Sequence, residues 1–317
     1  MQVSVVLCAY DPARHDDFAE AADSVLAQTH EDVELVVVVD GSADLAERIR
    51  TDYGDRADVR VHLNEKNRGL LESRNRGARL ASGDVVAFLD DDAVAEPDWI
   101  AKLVAAHEHT DALATGGRMV PAWVAGRPRF LPAEFYWLVG VTHRGFGPGG
   151  AADRAGEVRN TLGSNISFDR ETFLDLGGFD ATIGGRKGDN KLQGGETELC
   201  ARLQREHGSG VYYEPDARVA HKVFAPRTAP RWLAARAFWQ GYSKRAMETF
   251  VPGSAGEESA FLGRLLTEFV PRRVRGLAAR PSRERATQLV ALIVLTALVG
   301  LGYLYGLARY PGALGPR

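Results

Sequence analysis

Apolar residues gather in four short runs along the first third of the chain, separated by segments with the spacing of amphipathic helices. The runs are Val3 to Ala9, Val33 to Val39, Val59 to Leu63 and Val85 to Leu89. Because polar alternation is nearly absent from them, they predict strands buried on both faces, as in a parallel sheet covered by helices. The pattern therefore predicts an α/β fold whose ligands bind beyond the carboxyl ends of the strands.

The middle of the chain is less regular. Gly- and Pro-rich stretches run from Pro121 to Gly163 and from Gly177 to Gly195, and we interpret them as loops over a site. A helix is predicted from Glu196 to His207. The strand-like segments VYY at 211–213 and ARVAH at 217–221 follow it and are expected to complete the sheet.

An uncharged run of 20 residues, from Leu289 to Ala308, lies near the C-terminus. At about 1.5 Å per residue, a helix of this length crosses a hydrocarbon core of about 30 Å. A buried C-terminal helix is the alternative, but the run has no polar face. Six arginines precede the run and two follow it, so the positive-inside rule predicts one membrane-spanning helix with the main domain in the cytoplasm. The six are Arg272, Arg273, Arg275, Arg280, Arg283 and Arg285, and the two are Arg309 and Arg317.

The segment before this run mixes aromatic and basic side chains between Trp232 and Phe250. It fits an interfacial amphipathic helix or an ordinary core helix equally well. The expected organisation is a catalytic α/β domain at 1–225, basic membrane-proximal helices at 226–287, a membrane-spanning helix at 288–309 and a short tail at 310–317.

Charge and cysteine content limit which partners and which kinds of site are expected. The net charge of −3 is the sum of −12 before Pro226 and +9 from Pro226 onward. Because the basic part leads into the apolar run, it favours a membrane surface over nucleic acid, and no nucleic-acid partner is expected. The two cysteines, Cys8 and Cys200, form neither a disulfide framework nor a thiolate cluster, and the N-terminus has no signal-peptide pattern.

Polar side chains follow three of the predicted strands, so we expect them to converge on one crevice. They are Tyr10 and Asp11 after Ala9, Asp40 after the second run, and the triplet Asp90, Asp91 and Asp92 after the fourth. A single aspartate at a strand end is commonly a helix cap or a turn former. Three adjacent carboxylates repel one another, however, and Mn²⁺ or Mg²⁺ is the simplest ion to offset that repulsion and to bridge to a diphosphate.

The motifs around these strand ends resemble those of family 2 glycosyltransferases. They are AYD, VVDGS, NRGLLESRNRG and FLDDDAVAEPDW, followed in order by GSN at 163–165, LGGFD at 176–180 and GGETELCARL at 194–203. The resemblance extends to about residue 225. It implies the GT-A fold with a mostly parallel central sheet flanked by helices, a nucleoside-diphosphate sugar as donor, and inversion at the anomeric carbon by one direct displacement.

The same resemblance implies roles for individual residues, each carried over by its place in a motif. Tyr10, Asp11 and Asp40 would hold the nucleobase, with Ala9 beside them in the donor-binding set, Arg74 would approach the nucleotide, and Asp90 and Asp91 would meet the ribose and the sugar. Asp92 would bind the metal, with His221 as a further ligand. A lone histidine at a strand end is also often a surface or capping residue.

The catalytic base is expected on the helix that begins near Glu196, because it must take a proton from the acceptor hydroxyl across the crevice. Family 2 enzymes commonly have an acidic pair ending in Asp there, whereas this chain has Gly195-Glu196. Glu198 is the second candidate, and a capping or solvated role is the alternative for both. Gly184 to Gly188 form a basic loop in which Arg186 or Lys187 would meet the diphosphate or a donor carboxylate, although a disordered linker is an equally good interpretation.

Within the family, the chain resembles archaeal enzymes of lipid-linked N-glycan assembly of the glucosyl-dolichyl phosphate glucuronosyltransferase type. This implies a UDP-sugar donor, glucuronic acid as the sugar, and a dolichyl phosphate-linked saccharide as the acceptor. Three alternatives remain open. They are a glycosyltransferase for another surface polysaccharide or glycolipid, a catalytically silent nucleotide-sugar-binding scaffold, and a nucleotidyltransferase, which the absence of a Gly-rich, Lys-containing loop after the first strand disfavours.

Overall fold

A mixed β-sheet forms the centre of the computed structural model, which describes residues 1–183, 191–250 and 256–311. Its strands are β1 Val3–Ala9, β2 Val33–Asp40, β3 Val59–Asn64, β4 Val85–Asp90, β5 Ala93–Ala95, β6 Ala114–Trp123, β7 Gly156–Val158, β8 Ile166–Asp169 and β9 Val211–Val223. The order across the sheet is β3-β2-β1-β4-β8-β6-β9-β5, with β7 paired to β9. Strands β1 to β4 are mutually parallel, and β8 runs antiparallel to both β4 and β6.

Helices cover both faces of this sheet. They are α1 His15–Leu26, α2 Ala43–Tyr53, α3 Leu70–Leu80, α4 Trp99–Thr110, α5 Arg170–Asp175, α6 Gly195–His207, α7 Ala225–Thr228, α8 Pro230–Phe250, α9 Gly256–Arg264, α10 Val270–Ala279 and α11 Arg283–Arg309. A π-helical turn, Leu265–Phe269, joins α9 to α10, and 3-10 turns occur at Pro12–Arg14, Ala133–Val139 and Pro148–Gly150. The four predicted N-terminal strands and the helix before β9 are confirmed, each within one residue of its predicted bounds.

Successive residues of β1 and β2 enter different apolar cores, which explains why these strands lack polar alternation. Val5 and Val37 belong to the cluster that includes residues of α1, α2 and α4, whereas Val6 and Val36 belong to the cluster with residues of α3, α5 and α6. All four side chains are fully buried. A strand covered on both faces reads as one continuous apolar run.

The segments at 211–213 and 217–221 do complete the sheet as expected, and both belong to the single strand β9. Strand β6 pairs with both ends of β9, and its register shifts between Gly117 and Arg118. The shift absorbs the residues between the two segments in a bulge. A Cβ at Gly117 would overlap the carbonyl oxygen of Ala217, so only glycine permits this close approach.

The C-terminal helix α11 is the one helix among the described residues that is long and apolar enough to cross a membrane, with a mean hydropathy of 2.2. One face packs against α8 and buries Leu292 and Leu295 in the main core cluster. The opposite face exposes an apolar stripe of Val290, Ile293, Val294, Leu301 and Leu304. The two faces match a helix with protein on one side and lipid on the other.

Helices α8 and α11 touch through their backbones. A Cβ at Gly241 of α8 would overlap the carbonyl oxygen of Val299, and a Cβ at Gly302 of α11 would overlap that of Phe238. Gly306 lies one turn further along α11, against the side chain of Arg245. Small residues spaced in this way are typical of close helix crossings in membranes. The packing of α8 agrees with the core-helix interpretation of that segment.

We expect Gly302→Ala to force the two helices apart, because the added methyl group meets backbone that cannot rotate away. Overpacking of this kind costs about 1–3 kcal/mol, which corresponds to a fall in Tm of about 2–10 °C. Thermal unfolding in detergent measures it. Gly300→Ala is the matched control, since a Cβ there meets no heavy atom within 4 Å. Equal Tm values for the two variants would contradict the backbone contact.

Candidate functional site

The polar residues that follow the strands do lie at one edge of the sheet. Cys8 is opposite Asp90 and Ala9 is opposite Val39, so β1, β2 and β4 end side by side. Tyr10 follows β1 directly at this edge and is 57% exposed. An exposed ring at the end of a parallel strand is available to stack on a flat ligand.

Asp11 and Asp40 both support backbone at this edge. The Ala13 amide donates to Asp11 Oδ1 at 3.0 Å, which caps the 3-10 turn that follows. Asp40 is buried, and its two oxygens accept from the amides of Arg68 and Gly69, each at 2.8 Å. Asp40 therefore holds the loop that enters α3, whatever else its remaining lone pairs bind.

Arg74 is the central charge of the crevice. Its side chain is only 2% exposed, and it donates to Asp90 Oδ1 at 2.6 Å and to Glu196 Oε1 at 3.0 Å. Burial alone would lower the pKa of Arg74, but the two carboxylates raise it above its usual value. One guanidinium thus joins the end of β4 to the first turn of α6.

The two glutamates of α6 have different surroundings. Glu196 uses Oε1 to accept from Arg74, and its side chain is 26% exposed. Glu198 is bound on both oxygens by Arg202, at 2.7 Å each, and Arg202 also donates to the carbonyls of Leu176 and Gly178. Glu198 therefore ties α6 to the neighbouring loop, while Glu196 borders the crevice beside Arg74.

A strand pairing brings Asp92 and His221 together, although 129 positions separate them along the chain. Strand β5 begins directly after Asp92 and runs antiparallel to β9 with Ala93 opposite His221, and the Lys222 amide donates to the Asp92 carbonyl. As a result, His221 Nε2 lies 3.2 Å from Asp92 Oδ1. Both side chains are nearly inaccessible, at 6% and 4% exposed.

Two arginines that the sequence analysis did not single out complete the surroundings of Asp92. Arg14 reaches Asp92 Oδ2 at 3.3 Å from the turn after β1, and Arg227 reaches the same oxygen at 3.4 Å from α7. The Arg14 guanidinium also lies 4.5 Å from the centre of the Phe224 ring. Neither arginine belongs to a motif quoted above, so only the folded chain reveals them.

This arrangement shifts the pKa values of Asp91 and Asp92 in opposite directions. Burial and the neighbouring carboxylates of Asp92 and Asp90 raise the pKa of Asp91 to about 7. Burial would also raise the pKa of Asp92, but its hydrogen bond with His221 and the cations Arg227 and Arg14 lower it to about 2. Asp92 is therefore the carboxylate best suited to remain ionised and to bind a cation.

The chemistry of the donor set fits a divalent metal held in part by the protein. No group of three His, Cys, Asp or Glu side chains able to hold a metal occurs in the part of the chain that the structure describes. Asp92 and His221 provide one oxygen and one nitrogen, and Asp91 Oδ2 and His221 Nδ1 are buried without a hydrogen-bond partner in that same part. Mn²⁺ and Mg²⁺ commonly combine few protein ligands with diphosphate oxygens and water.

The remaining motifs shape the site rather than line it. Asn165, which is fully buried, accepts from the Trp99 indole at 2.8 Å and donates to the Ala217 carbonyl, so it joins α4 to β9. Asn75 exchanges two hydrogen bonds with the backbone of Phe179. The expected basic loop with Arg186 and Lys187 lies outside the described residues.

The crevice thus has two ends, and each combines carboxylates with arginine. At one end Asp92, His221 and two arginines surround a potential metal position, and at the other Glu196 is oriented by Arg74. Such an arrangement can hold an anionic group at the first end and remove a proton at the second.

Comparisons with known proteins show which family the chain belongs to. The family model described as Glycosyl transferase family 2 matches residues 4–177. The chain is 50% identical over 308 residues to the glucosyl-dolichyl phosphate glucuronosyltransferase of Haloferax volcanii, which covers 97% of this chain and 96% of that protein. It is also 36% identical over 114 residues to an uncharacterized glycosyltransferase of a Nostoc species, which covers 36% of this chain and 35% of that protein.

Solved structures share the fold. The mannosyltransferase PcManGT from Pyrobaculum calidifontis, in complex with GDP-Man and Mn²⁺, superposes with a TM-score of 0.59 at 20% identity. That superposition covers 97% of this chain and 86% of PcManGT. TarS of S. aureus in complex with UDP gives a TM-score of 0.53 at 17% identity and covers 100% of this chain and 93% of that one.

Proposed function

The chain belongs to glycosyl transferase family 2, and we propose that it transfers glucuronic acid from UDP-glucuronate to a saccharide carried on dolichyl phosphate. The near full-length identity of 50% to a glucosyl-dolichyl phosphate glucuronosyltransferase is the observation that carries this proposal. The reaction would add a sugar during lipid-linked glycan assembly at the cell membrane. The crevice supports it, because Arg14 and Arg227 beside Asp92 can hold an anion and Glu196 beside Arg74 can accept a proton.

In the proposed reaction, an acceptor hydroxyl oxygen attacks the anomeric carbon of the donor from the face opposite the diphosphate. The new glycosidic bond forms as the bond from carbon to the β-phosphate oxygen breaks, and UDP leaves with both electrons. Glu196 takes the hydroxyl proton. Its Oε1 stays on Arg74, and Oε2, which makes no hydrogen bond among the described residues, would receive that proton.

Asp92 and His221 would hold the divalent metal, with Mn²⁺ and Mg²⁺ both compatible with an oxygen and nitrogen donor pair. When bound, such an ion neutralises the charge that develops on the departing diphosphate. Arg14 and Arg227 are placed to bind the same diphosphate, since both lie against Asp92. Tyr10, Asp11 and Asp40 form the edge where the nucleobase would lie, with Ala9 at the end of β1, and Asp90 and Asp91 border the space for ribose and sugar.

We further infer that α11 crosses the membrane and that the catalytic domain stays on the cytoplasmic side. The excess of arginine before the apolar run supports this orientation. Several of these arginines also have structural partners, because Arg272 and Arg273 both bind the fully buried Glu134. A lipid-borne acceptor and an enzyme held in the same membrane meet far more often than two soluble partners.

Purified protein in detergent is expected to transfer glucuronic acid from UDP-glucuronate to glucosyl-dolichyl phosphate only when Mn²⁺ or Mg²⁺ is present. Asp92→Ala is expected to lower kcat/KM on the order of 100-fold or more, because a metal ligand contributes several kcal/mol to the transition state. Asp98→Ala, which changes a half-exposed aspartate six positions further on that pairs only with Lys102 among the described residues, is the control and should retain activity. Metal-dependent binding of UDP-glucuronate without transfer would favour the silent scaffold instead.

Glu196→Gln and Glu198→Gln form a matched pair on one helix. We expect Glu196→Gln to lower kcat by about 10²–10⁴-fold, since the amide cannot accept the hydroxyl proton. Glu198→Gln weakens the link to Arg202, so it should lower Tm while kcat stays within a few fold of the wild type. Initial rates at saturating donor measure the difference. A reversed pattern would move the base to Glu198, and normal rates for both would indicate an acceptor phosphate rather than a hydroxyl.

Cysteine labelling tests the topology. In sealed inside-out membrane vesicles, an impermeant thiol reagent is expected to label Asp55→Cys in the exposed part of the catalytic domain. Pro311→Cys, directly after α11, should react only after detergent is added. The native cysteines provide a low background, because Cys200 is buried and Cys8 is half-buried. Labelling of both sites in sealed vesicles would show that α11 lies along the membrane surface.

A further inference from the structure

Arg236 of α8 is a half-buried cation for which the described part of the chain provides no counter-ion. Its Nε is inaccessible and has no hydrogen-bond partner there, and its guanidinium enters no ion pair among those residues. Among the described residues, its one close ring contact is with Trp232, whose ring centre lies 5.9 Å from the guanidinium carbon. Buried polar groups are nearly always satisfied, and an arginine without a partner at a ligand crevice is therefore a group that awaits an anion.

Arg236 lies on the face of α8 that is turned toward the crevice. Gln240 and Ser243 follow it at helical spacings of four and seven, so the three residues share one face of the helix. Gln240 Nε2 donates to Gln193 Oε1 at 2.5 Å, and the Gln193 amide donates to Ser243 Oγ at 3.0 Å. This face therefore packs against the residues that lead directly into α6 and Glu196.

The charges around Arg236 agree with that position. Burial and the cation of Arg227 lower the pKa of Arg236 to about 10, and the carboxylate of Glu196 acts in the opposite direction. Arg236 is still a cation at neutral pH. Both ends of the crevice therefore act on its charge: Arg227, which lies beside Asp92, at one end, and Glu196, the proposed base, at the other.

Three anionic groups would enter this crevice in the proposed reaction. The diphosphate is matched by Arg14 and Arg227, because both of these arginines contact Asp92. The other two are the carboxylate of the donor sugar and the phosphate of the lipid-linked acceptor. In a direct displacement the transferred sugar lies between the diphosphate and the base, and Arg236 is near enough to Arg227 and to Glu196 for both charges to act on it.

We propose that Arg236 is a specificity-determining residue that binds the carboxylate of the hexuronate donor. This rests on the proposed function, and it adds the group by which a uronate is chosen over a neutral hexose. A guanidinium presents two parallel N–H donors that match the two oxygens of a carboxylate. A neutral sugar would leave those donors buried and unsatisfied, so the site would reject UDP-glucose by failing to complete its own hydrogen bonds.

The test compares Arg236→Gln, Arg236→Lys and the control Arg231→Gln, which changes an exposed arginine at the start of the same helix. Binding of UDP, UDP-glucose and UDP-glucuronate in the presence of Mn²⁺ is measured by calorimetry, and KM is measured for donor and acceptor separately. We expect Arg236→Gln to raise Kd and KM for UDP-glucuronate by about 10–100-fold, the range for one charge-assisted pair. Its affinity for UDP and UDP-glucose should change by less than about 3-fold, and Arg236→Lys should lie between it and the wild type.

The other outcomes separate the possible failures. A rise confined to the acceptor KM would show that Arg236 binds the lipid phosphate, and an equal loss for UDP and both UDP-sugars would show a role toward the nucleotide or the fold. Either result overturns the proposal, as does unchanged UDP-glucuronate binding in Arg236→Gln. If the wild type itself does not select UDP-glucuronate over UDP-glucose, the proposed donor is wrong, and that failure is visible without any Arg236 variant.

Discussion

A guanidinium removed almost completely from water must be surrounded by opposite charge, and Arg74 satisfies this condition by recruiting carboxylates from two distant elements. Asp90 comes from the end of β4 and Glu196 from the first turn of α6. The orientation of the proposed base, the end of the proposed nucleotide-binding edge and the docking of α6 are therefore consequences of one buried network of ion pairs. Gly163 belongs to the same constraint, because a Cβ there would overlap Glu196 and the Arg74 guanidinium.

The strands were predictable because burial on both faces produces continuous apolar runs, and their ends then determined which aspartates share an edge. The pairing of β5 with β9 was not predictable in the same way. Strand β5 has three residues, too few for a periodic signal, yet its register places Asp92 beside His221. The histidine was singled out through a resemblance, whereas the contact depends on a long-range pairing that local pattern does not encode.

The arginines illustrate a second limit. Arg14, Arg227 and Arg236 lie in a turn, a short helix and a long helix, where basic residues are common and carry no motif. Their importance comes from desolvation and from the charges that they face, and both properties exist only in the folded chain. For the same reason, the motif made Glu196 the first candidate and Glu198 the second but could not show that one borders Arg74 and that the other is fully engaged by Arg202.

One face of helix α8 lies toward the crevice, and another packs against α11. Arg236, Gln240 and Ser243 turn toward the residues before α6, whereas Gly241 and Arg245 turn toward α11, and Arg245 is fully buried with a donor on the Tyr310 carbonyl. The C-terminal helix is thus part of the wall behind the proposed active site and cannot be removed without changing that wall. A soluble enzyme cannot be obtained simply by cutting the chain before α11. Without α11, the backbone of α8 around Gly241 would be exposed, and so would the charge of Arg245, which the two helices now enclose.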